Sequence, residues 1–188
     1  MKPNLNIKNV IFDLGGVLID WNPDKVYKDV FNNDSEKMIH FYTKICTQGW
    51  NENQDAGYPM AKATEERVAL FPEYEKEIRM FYGRWDDMLG DQIQGTVDIL
   101  KELSDDPNYK VVALTNWSHE TFPKAIAKFS FLKWFEGILV SGEEKTRKPF
   151  PEIYELTLSK FNLKAGESLF IDDNLRNIEA AKKFGIHS

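Results

Sequence analysis

The chain has 188 residues, 42% of them hydrophobic and 29% charged, enough to bury a core but too few for more than one or two modest domains. A formal net charge of −6 and a pI near 5.2 exclude a broad nucleic-acid footprint, yet allow a small phosphorylated substrate, which needs only one local positive pocket. No apolar run is long enough to span a bilayer, Met1–Ile7 lacks the apolar stretch of a secretion signal, and Cys46 is the single cysteine, so a cytoplasmic protein without disulfides or a cysteine zinc site is expected.

In chain order, Val10, Ile11 and Phe12 form a short apolar run that ends at Asp13 and is followed by Gly15 and Gly16. Residues 21–90 lack strand-like runs and read as helices over 24–31, 35–45, 59–70 and 73–89. Ser35 suits an N-cap and Pro59 a first helical turn. Tyr74, Ile78, Phe81, Tyr82, Trp85, Met88 and Leu89 recur at helical spacing and predict a buried stripe. Between two of these helices, residues 50–58 are polar, aromatic and glycine-bearing. They read either as an ordinary loop or as a surface, Trp50 included, for the part of a substrate away from its reacting group.

A helix over 95–103 leads into three more apolar runs. Residues 111–114 end at Thr115 and Asn116, residues 137–140 at Ser141 and Gly142, and residues 168–171 at Asp172 and Asp173, before a helix near 175–184. Short, unalternating strands separated by helices predict a Rossmann-like α/β core with a parallel sheet covered on both faces, interrupted after its first strand by a helical insert. The core is expected over 1–19 and 91–188 and the insert, a cap, over 20–90. Ligands of such sheets bind beyond the carboxyl ends of the strands, and all four ends here carry polar or acidic residues.

Gathering Asp13, Asp172 and Asp173 is costly unless a cation sits among them, and all-oxygen ligands favour Mg²⁺. A site with Mg²⁺, the Thr115 hydroxyl, Lys148 and a spare carboxylate suits phosphoryl transfer, where a protein mainly positions groups and neutralises charge.

The stretch from Phe12 to Asp20 resembles the first motif of the haloacid dehalogenase superfamily. Leu114-Thr115-Asn116 resembles the second, Arg147-Lys148-Pro149 the third and Phe170-Ile171-Asp172-Asp173-Asn174 the fourth, in the family's order across nearly the whole chain. Thr115 to Ser118, and Arg147 to Pro149 with Glu152 to Tyr154, further resemble a subgroup containing sugar-phosphate phosphatases and the amino-terminal domain of epoxide hydrolases. The resemblance implies Mg²⁺-dependent hydrolysis of a small phosphorylated metabolite, a sugar phosphate being the leading class. Asp13 would be the nucleophile and a metal ligand, and the Gly15 carbonyl a second ligand. Thr115 and the Asn116 amide would hold phosphoryl oxygens, and Lys148 would neutralise Asp13 and the transferring group. Asp173 would bind the metal directly, and Asp172 directly or through water.

Family phosphatases carry a second Asp two residues after the nucleophile, where this chain has Gly15. That departure admits a leaving group needing little protonation, an acid supplied by the cap or solvent, or a non-catalytic binding protein. Metal-independent 2-haloacid dehalogenation is a further alternative, against which the Asp172-Asp173 pair argues. The family also adds a strand beyond the point where this chain stops, so either the fold ends early or the sequence is truncated. The sequence leaves oligomeric state open.

Overall fold

The computed structural model describes residues 6–188. Residues 1–5, part of the expected 1–19 core segment and of the Met1–Ile7 stretch, lie outside the described residues. Strand β1 (Asn9–Phe12) turns into β2 (Ile19–Trp21). Helices α1 (Asp24–Val30), α2 (Ser35–His40), α3 (Gln48–Asp55), α4 (Met60–Leu70), α5 (Glu75–Gly83) and α6 (Trp85–Met88) follow. A π-helical turn over Phe41–Ile45 extends α2, and a 3₁₀ turn over Pro72–Tyr74 precedes α5. Then β3 (Leu89–Gln92) and α7 (Gln94–Asp105) lead to β4 (Lys110–Thr115) and α8 (Phe122–Lys128). The remainder is β5 (Gly137–Val140), α9 (Ser141–Glu144), α10 (Pro151–Lys160), β6 (Ser168–Ile171) and α11 (Leu175–Lys183).

The four apolar runs form one parallel sheet in the order β5-β4-β1-β6. Strand side chains alternate between two covered faces. Val10, Phe12, Val111 and Ala113 pack with Val97 and Leu100 of α7 and Ala125 of α8. Ile11, Val112, Leu114 and Phe170 pack with Ile153 and Tyr154 of α10 and Ala180 and Ala181 of α11. Burial on both faces explains why these strands read as unbroken apolar runs. This is the Rossmann-like α/β/α arrangement expected.

Residues 26–88 hold a separate apolar cluster. Tyr27, Phe41 and Ile78 have no exposed surface, and the Tyr27 and Phe41 rings lie 4.6 Å apart. The Tyr27 hydroxyl donates to the Glu77 carbonyl at 2.8 Å, so its one polar atom is satisfied.

Four local expectations need correction. The insert is not wholly helical: β2 and β3 pair antiparallel at its base, through Ile19 with Gln92 and Trp21 with Leu89. Strands this short carry too few residues to show alternation. Residues 50–58 are mostly not a loop: α3 occupies Gln48–Asp55, with Thr47 accepting at its N-terminus from the Trp50 N–H at 3.1 Å. The 73–89 helix is broken after Gly83, and Leu89 enters β3, although Ile78, Phe81, Trp85, Met88 and Leu89 are buried as the stripe requires. Asp34, not Ser35, caps α2, accepting from the Lys37 N–H at 3.1 Å.

The insert's aromatic cluster predicts a large penalty for truncation at its centre. Phe41→Ala is expected to lower stability by about 3–5 kcal/mol, read as a fall in the urea midpoint.

Candidate active site

Sheet register brings the acidic strand ends together. Phe12 pairs with both Ala113 and Ile171, so the next residues, Asp13, Leu114 and Asp172, emerge side by side at the carboxyl edge. The Asp13 N–H donates to the Ile171 carbonyl at 2.8 Å, extending the ladder to Asp13 itself.

Lys148 closes this edge. Its side chain has no exposed surface, and its ammonium donates to Asp13 Oδ2 at 2.8 Å, Asp172 Oδ2 at 2.7 Å and the Leu114 carbonyl at 3.1 Å. All three ammonium hydrogens therefore have acceptors. Asp172 also accepts from the Asn174 N–H at 2.8 Å and from Asn177 Nδ2, while Asp13 Oδ1 accepts from the Leu14 N–H at 2.7 Å. Burial pushes the Asp13 carboxyl above the usual carboxylate range. Lys148 pulls it back and Asp172 pushes it up again.

The Asn116 side chain has a different task from phosphate binding. Its Nδ2 donates to the Lys148 carbonyl at 2.9 Å, and its Oδ1 accepts from the Lys148 N–H at 2.8 Å. This reciprocal clamp fixes the backbone that presents the lysine and takes both ends of the amide. Thr115, at the end of β4, is buried, and its Oγ1 lacks a hydrogen-bond partner among the described residues. A buried hydroxyl without a protein partner is free to bond an oxygen brought to the sheet edge.

Asp173 stands beside this group, exposed and without a cationic partner among the described residues. Partial burial and the neighbouring Asp172 both raise its carboxyl. Gly16 makes room for it: with φ at +73°, a Cβ there would collide with the Asp173 carboxylate. One oxygen from each of Asp13, Asp172 and Asp173 falls within 4.8 Å of the others. Three carboxylates against one ammonium, all offering oxygen, fit a hard divalent cation. Asn174, rather than either Asp, caps α11 by accepting from the Arg176 N–H at 3.1 Å.

A cavity of about 290 Å³ opens over this edge. Asp13, Gly15, Asn116 and Asp173 line it from below, and Trp21, Trp85 and Trp117 from the sides. Its roof is α3, through Gln48, Asn51, Glu52 and Asp55. These four recur at i, i+3, i+4 and i+7, one face of a helix, a periodicity the sequence carried but the loop reading hid. Trp50 lies on another face of α3. It is buried beside Phe81, with ring centroids 5.3 Å apart, and does not line this cavity. The helical residues are tied to the core by polar contacts. Glu52 pairs with Arg147 at 2.9 Å and with Arg176, and Ser141 Oγ donates to the Asp55 carbonyl at 2.5 Å. His119, four residues beyond Thr115, is exposed.

A family model for haloacid dehalogenase-like hydrolases matches residues 7–185. The chain is 26% identical to the sesquiterpene phosphatase astK of Aspergillus oryzae, over 95% of this chain and 87% of the relative. It is 24% identical to a phosphorylated carbohydrates phosphatase of Thermotoga maritima, over 94% of this chain and 81% of that one. Among solved structures, a HAD family enzyme of Bacteroides thetaiotaomicron in complex with magnesium and inorganic phosphate superimposes with a TM-score of 0.70. It shares 27% identity, and the match covers 96% of this chain and 92% of that one.

Removing the lysine strands two buried carboxylates. Lys148→Met is expected to destabilise the protein by about 3–5 kcal/mol at neutral pH. Adding Asp172→Asn to that variant recovers part of the loss, a comparison that urea unfolding makes directly.

Proposed function

The chain belongs to the haloacid dehalogenase-like hydrolases, and from that membership we propose that it hydrolyses a small phosphomonoester at Asp13, with Mg²⁺ as cofactor. The observation that carries this reading is the meeting of Asp13, Asp172 and Asp173 around the buried Lys148 ammonium. Asp13, Asp172, Asp173 and the Gly15 carbonyl would hold Mg²⁺. The ion would supply charge neutralisation at the phosphoryl oxygens.

The chain's own residues then divide the work. An Asp13 oxygen attacks phosphorus, the bond to the leaving oxygen breaks, and the phosphoryl group rests on the carboxylate until water displaces it. Lys148, already bonded to Asp13, offsets the charge arriving with the phosphate. The unpaired Thr115 hydroxyl donates to a phosphoryl oxygen. With its side chain committed to Lys148, Asn116 has its backbone N–H for a second oxygen.

The segment 20–90 acts as a cap over a core made of 1–19 and 91–188. A sugar phosphate is the substrate class that the cavity wall supports, because three tryptophans line it together with the amides of Gln48 and Asn174 and the unpartnered amide oxygen of Asn177. Amides recognise hydroxyl groups, and indole faces suit the apolar face of a sugar ring. The Thermotoga maritima relative, named for phosphorylated carbohydrates, supports the same class. Haloacid displacement accounts for neither the third carboxylate nor the unpaired hydroxyl. Among the described residues no helix is long and apolar enough to cross a membrane.

Phosphate release from a panel of sugar phosphates and p-nitrophenyl phosphate tests this reading. Release is expected to need Mg²⁺, to stop with chelator and to fall to background in Asp13→Asn. Chloride release from 2-haloacids without metal, with no phosphate release from any ester, would replace the phosphatase reading by the dehalogenase one.

A further inference from the structure

Hydrolysis of an unactivated phosphomonoester needs a proton delivered to the leaving oxygen and, later, a proton removed from the attacking water. Position 15, two residues beyond Asp13 on the cavity floor, is glycine. A Cβ built there meets nothing within 4 Å, so the floor has open space and no acid at that point. Four carboxylates line the cavity: Asp13, Glu52, Asp55 and Asp173. Asp13 is bound to Lys148, Glu52 lies between Arg147 and Arg176, and Asp173 belongs to the three-carboxylate group. Asp55 alone among them has neither a cationic partner among the described residues nor a place in that group.

Asp55 is also held in a built environment. Its carbonyl accepts from Ser141 Oγ, and the same hydroxyl oxygen accepts from the Trp117 N–H at 2.9 Å, tying the end of α3 to the loop just beyond Thr115. Its carboxylate is oriented by a chain of polar side chains. Gln54 Nε2 donates to the Tyr82 hydroxyl at 2.8 Å, that hydroxyl donates to Asn51 Oδ1 at 3.0 Å, and Asn51 Nδ2 donates to Asp55 Oδ2 at 3.3 Å. Gln54 has no exposed surface, so the chain is anchored in the interior. Networks of this kind fix a functional side chain in one orientation.

We propose that Asp55, supplied by the helical segment, is the general acid–base of this active site, occupying the role for which Gly15 has no side chain. The inference rests on the phosphomonoester reading above. In the first step the Asp55 carboxyl gives its proton to the leaving oxygen as the bond from phosphorus to that oxygen breaks and the bond to Asp13 forms. In the second, the Asp55 carboxylate takes a proton from water as the water oxygen bonds to phosphorus and the Asp13 oxygen is released. Asp55 ends protonated, as it began. Its environment suits both halves. Burial and the adjacent Glu52 raise the carboxyl to about 7, with Asp13 adding to the rise and Arg147 and Lys148 opposing it. An acid–base group is most effective with its pKa near the working pH. Its position as the last residue of α3, at the negative end of the helix dipole, acts in the same direction.

The test compares wild type, Asp55→Asn, Gly15→Asp and the double variant on a sugar phosphate and on p-nitrophenyl phosphate. With the sugar phosphate, Asp55→Asn is expected to lower kcat by about 10²-fold or more. With p-nitrophenyl phosphate, whose phenolate leaves unprotonated, its initial burst of nitrophenol is retained, while slow water attack lets the phosphorylated chain accumulate in intact-mass spectra. Gly15→Asp in the Asp55→Asn background regains at least about tenfold in kcat, since the open floor admits the new carboxyl. A purely structural Asp55 would not be rescued from position 15 and would lose burst and turnover together, which overturns the proposal. So does an Asp55→Asn protein that keeps its sugar-phosphate kcat within about threefold of wild type. Absence of phosphate release by the wild-type chain from every ester would instead remove the phosphomonoester reading, and this inference with it.

Discussion

Three hydrogen bonds from one buried ammonium hold the carboxyl edge of the sheet together. The register of β1 with β6 forces Asp13 and Asp172 into adjacency whatever their charges, because Phe12 and Ile171 are paired one residue earlier. Two carboxylates so placed in a buried setting repel and raise one another's pKa. Lys148 converts that repulsion into a bonded arrangement, and a buried lysine is tolerable there only because all of its donors are satisfied. The geometry therefore depends on how firmly the lysine is presented. The Asn116 clamp answers this by joining the end of β4 to the backbone of residue 148 with two hydrogen bonds. Asn116 matters to the site through the lysine it positions as much as through its own N–H.

The helical segment obeys different physics. Its interior is an aromatic cluster centred on Tyr27, Phe41 and Phe81, which gives it cohesion of its own. Its contacts with the sheet domain include several polar ones: Glu52 with Arg147 and Arg176, Ser141 with Asp55, and the Met60 N–H with Glu120 at 2.8 Å. Apolar contact is made by Trp85, whose ring centroid lies 5.6 Å from that of Trp117, and by Leu89, Trp21 and Tyr82, which pack with the core cluster. The Glu52 carboxylate, paired with two arginines of the sheet domain, ties α3 over the cavity.

What was legible in the sequence follows the same division. The four core strands could be read because burial on both faces makes each an apolar run, and because each ends on a residue that chemistry makes conspicuous. Asp13, Lys148, Asp172 and Asp173 do meet as the motifs imply. The roof was harder to read. Helix α3 is short and polar, with a buried Trp50 on one face and a cavity-facing stripe of Gln48, Asn51, Glu52 and Asp55 on the other, so its mean character is that of a loop. Its period and the capping Thr47 were the available signals. Trp50 suggested a substrate contact by residue type alone, whereas its position relative to the stripe places it in the aromatic cluster. The β2–β3 ribbon is a tertiary event between segments far apart in sequence, and three- or four-residue strands leave no local pattern.

Distribution of charge connects these parts. The sheet edge already carries three carboxylates against one ammonium, and a fourth carboxylate at position 15 would add to the same crowd. Placing it on α3 separates it from the cluster until the helical segment is seated. The helical segment also supplies Trp85 to the wall of a cavity of about 290 Å³, opposite Trp117 of the sheet domain. Exclusion of water strengthens every charge interaction inside the cavity, including the attraction of Lys148 for an incoming phosphate. A proton donor on the roof is then available only when the site is dry enough for its proton to go to the leaving oxygen rather than to solvent. Under that arrangement Gly15 is a consequence of where the acid resides: the floor needs no side chain once the roof supplies it.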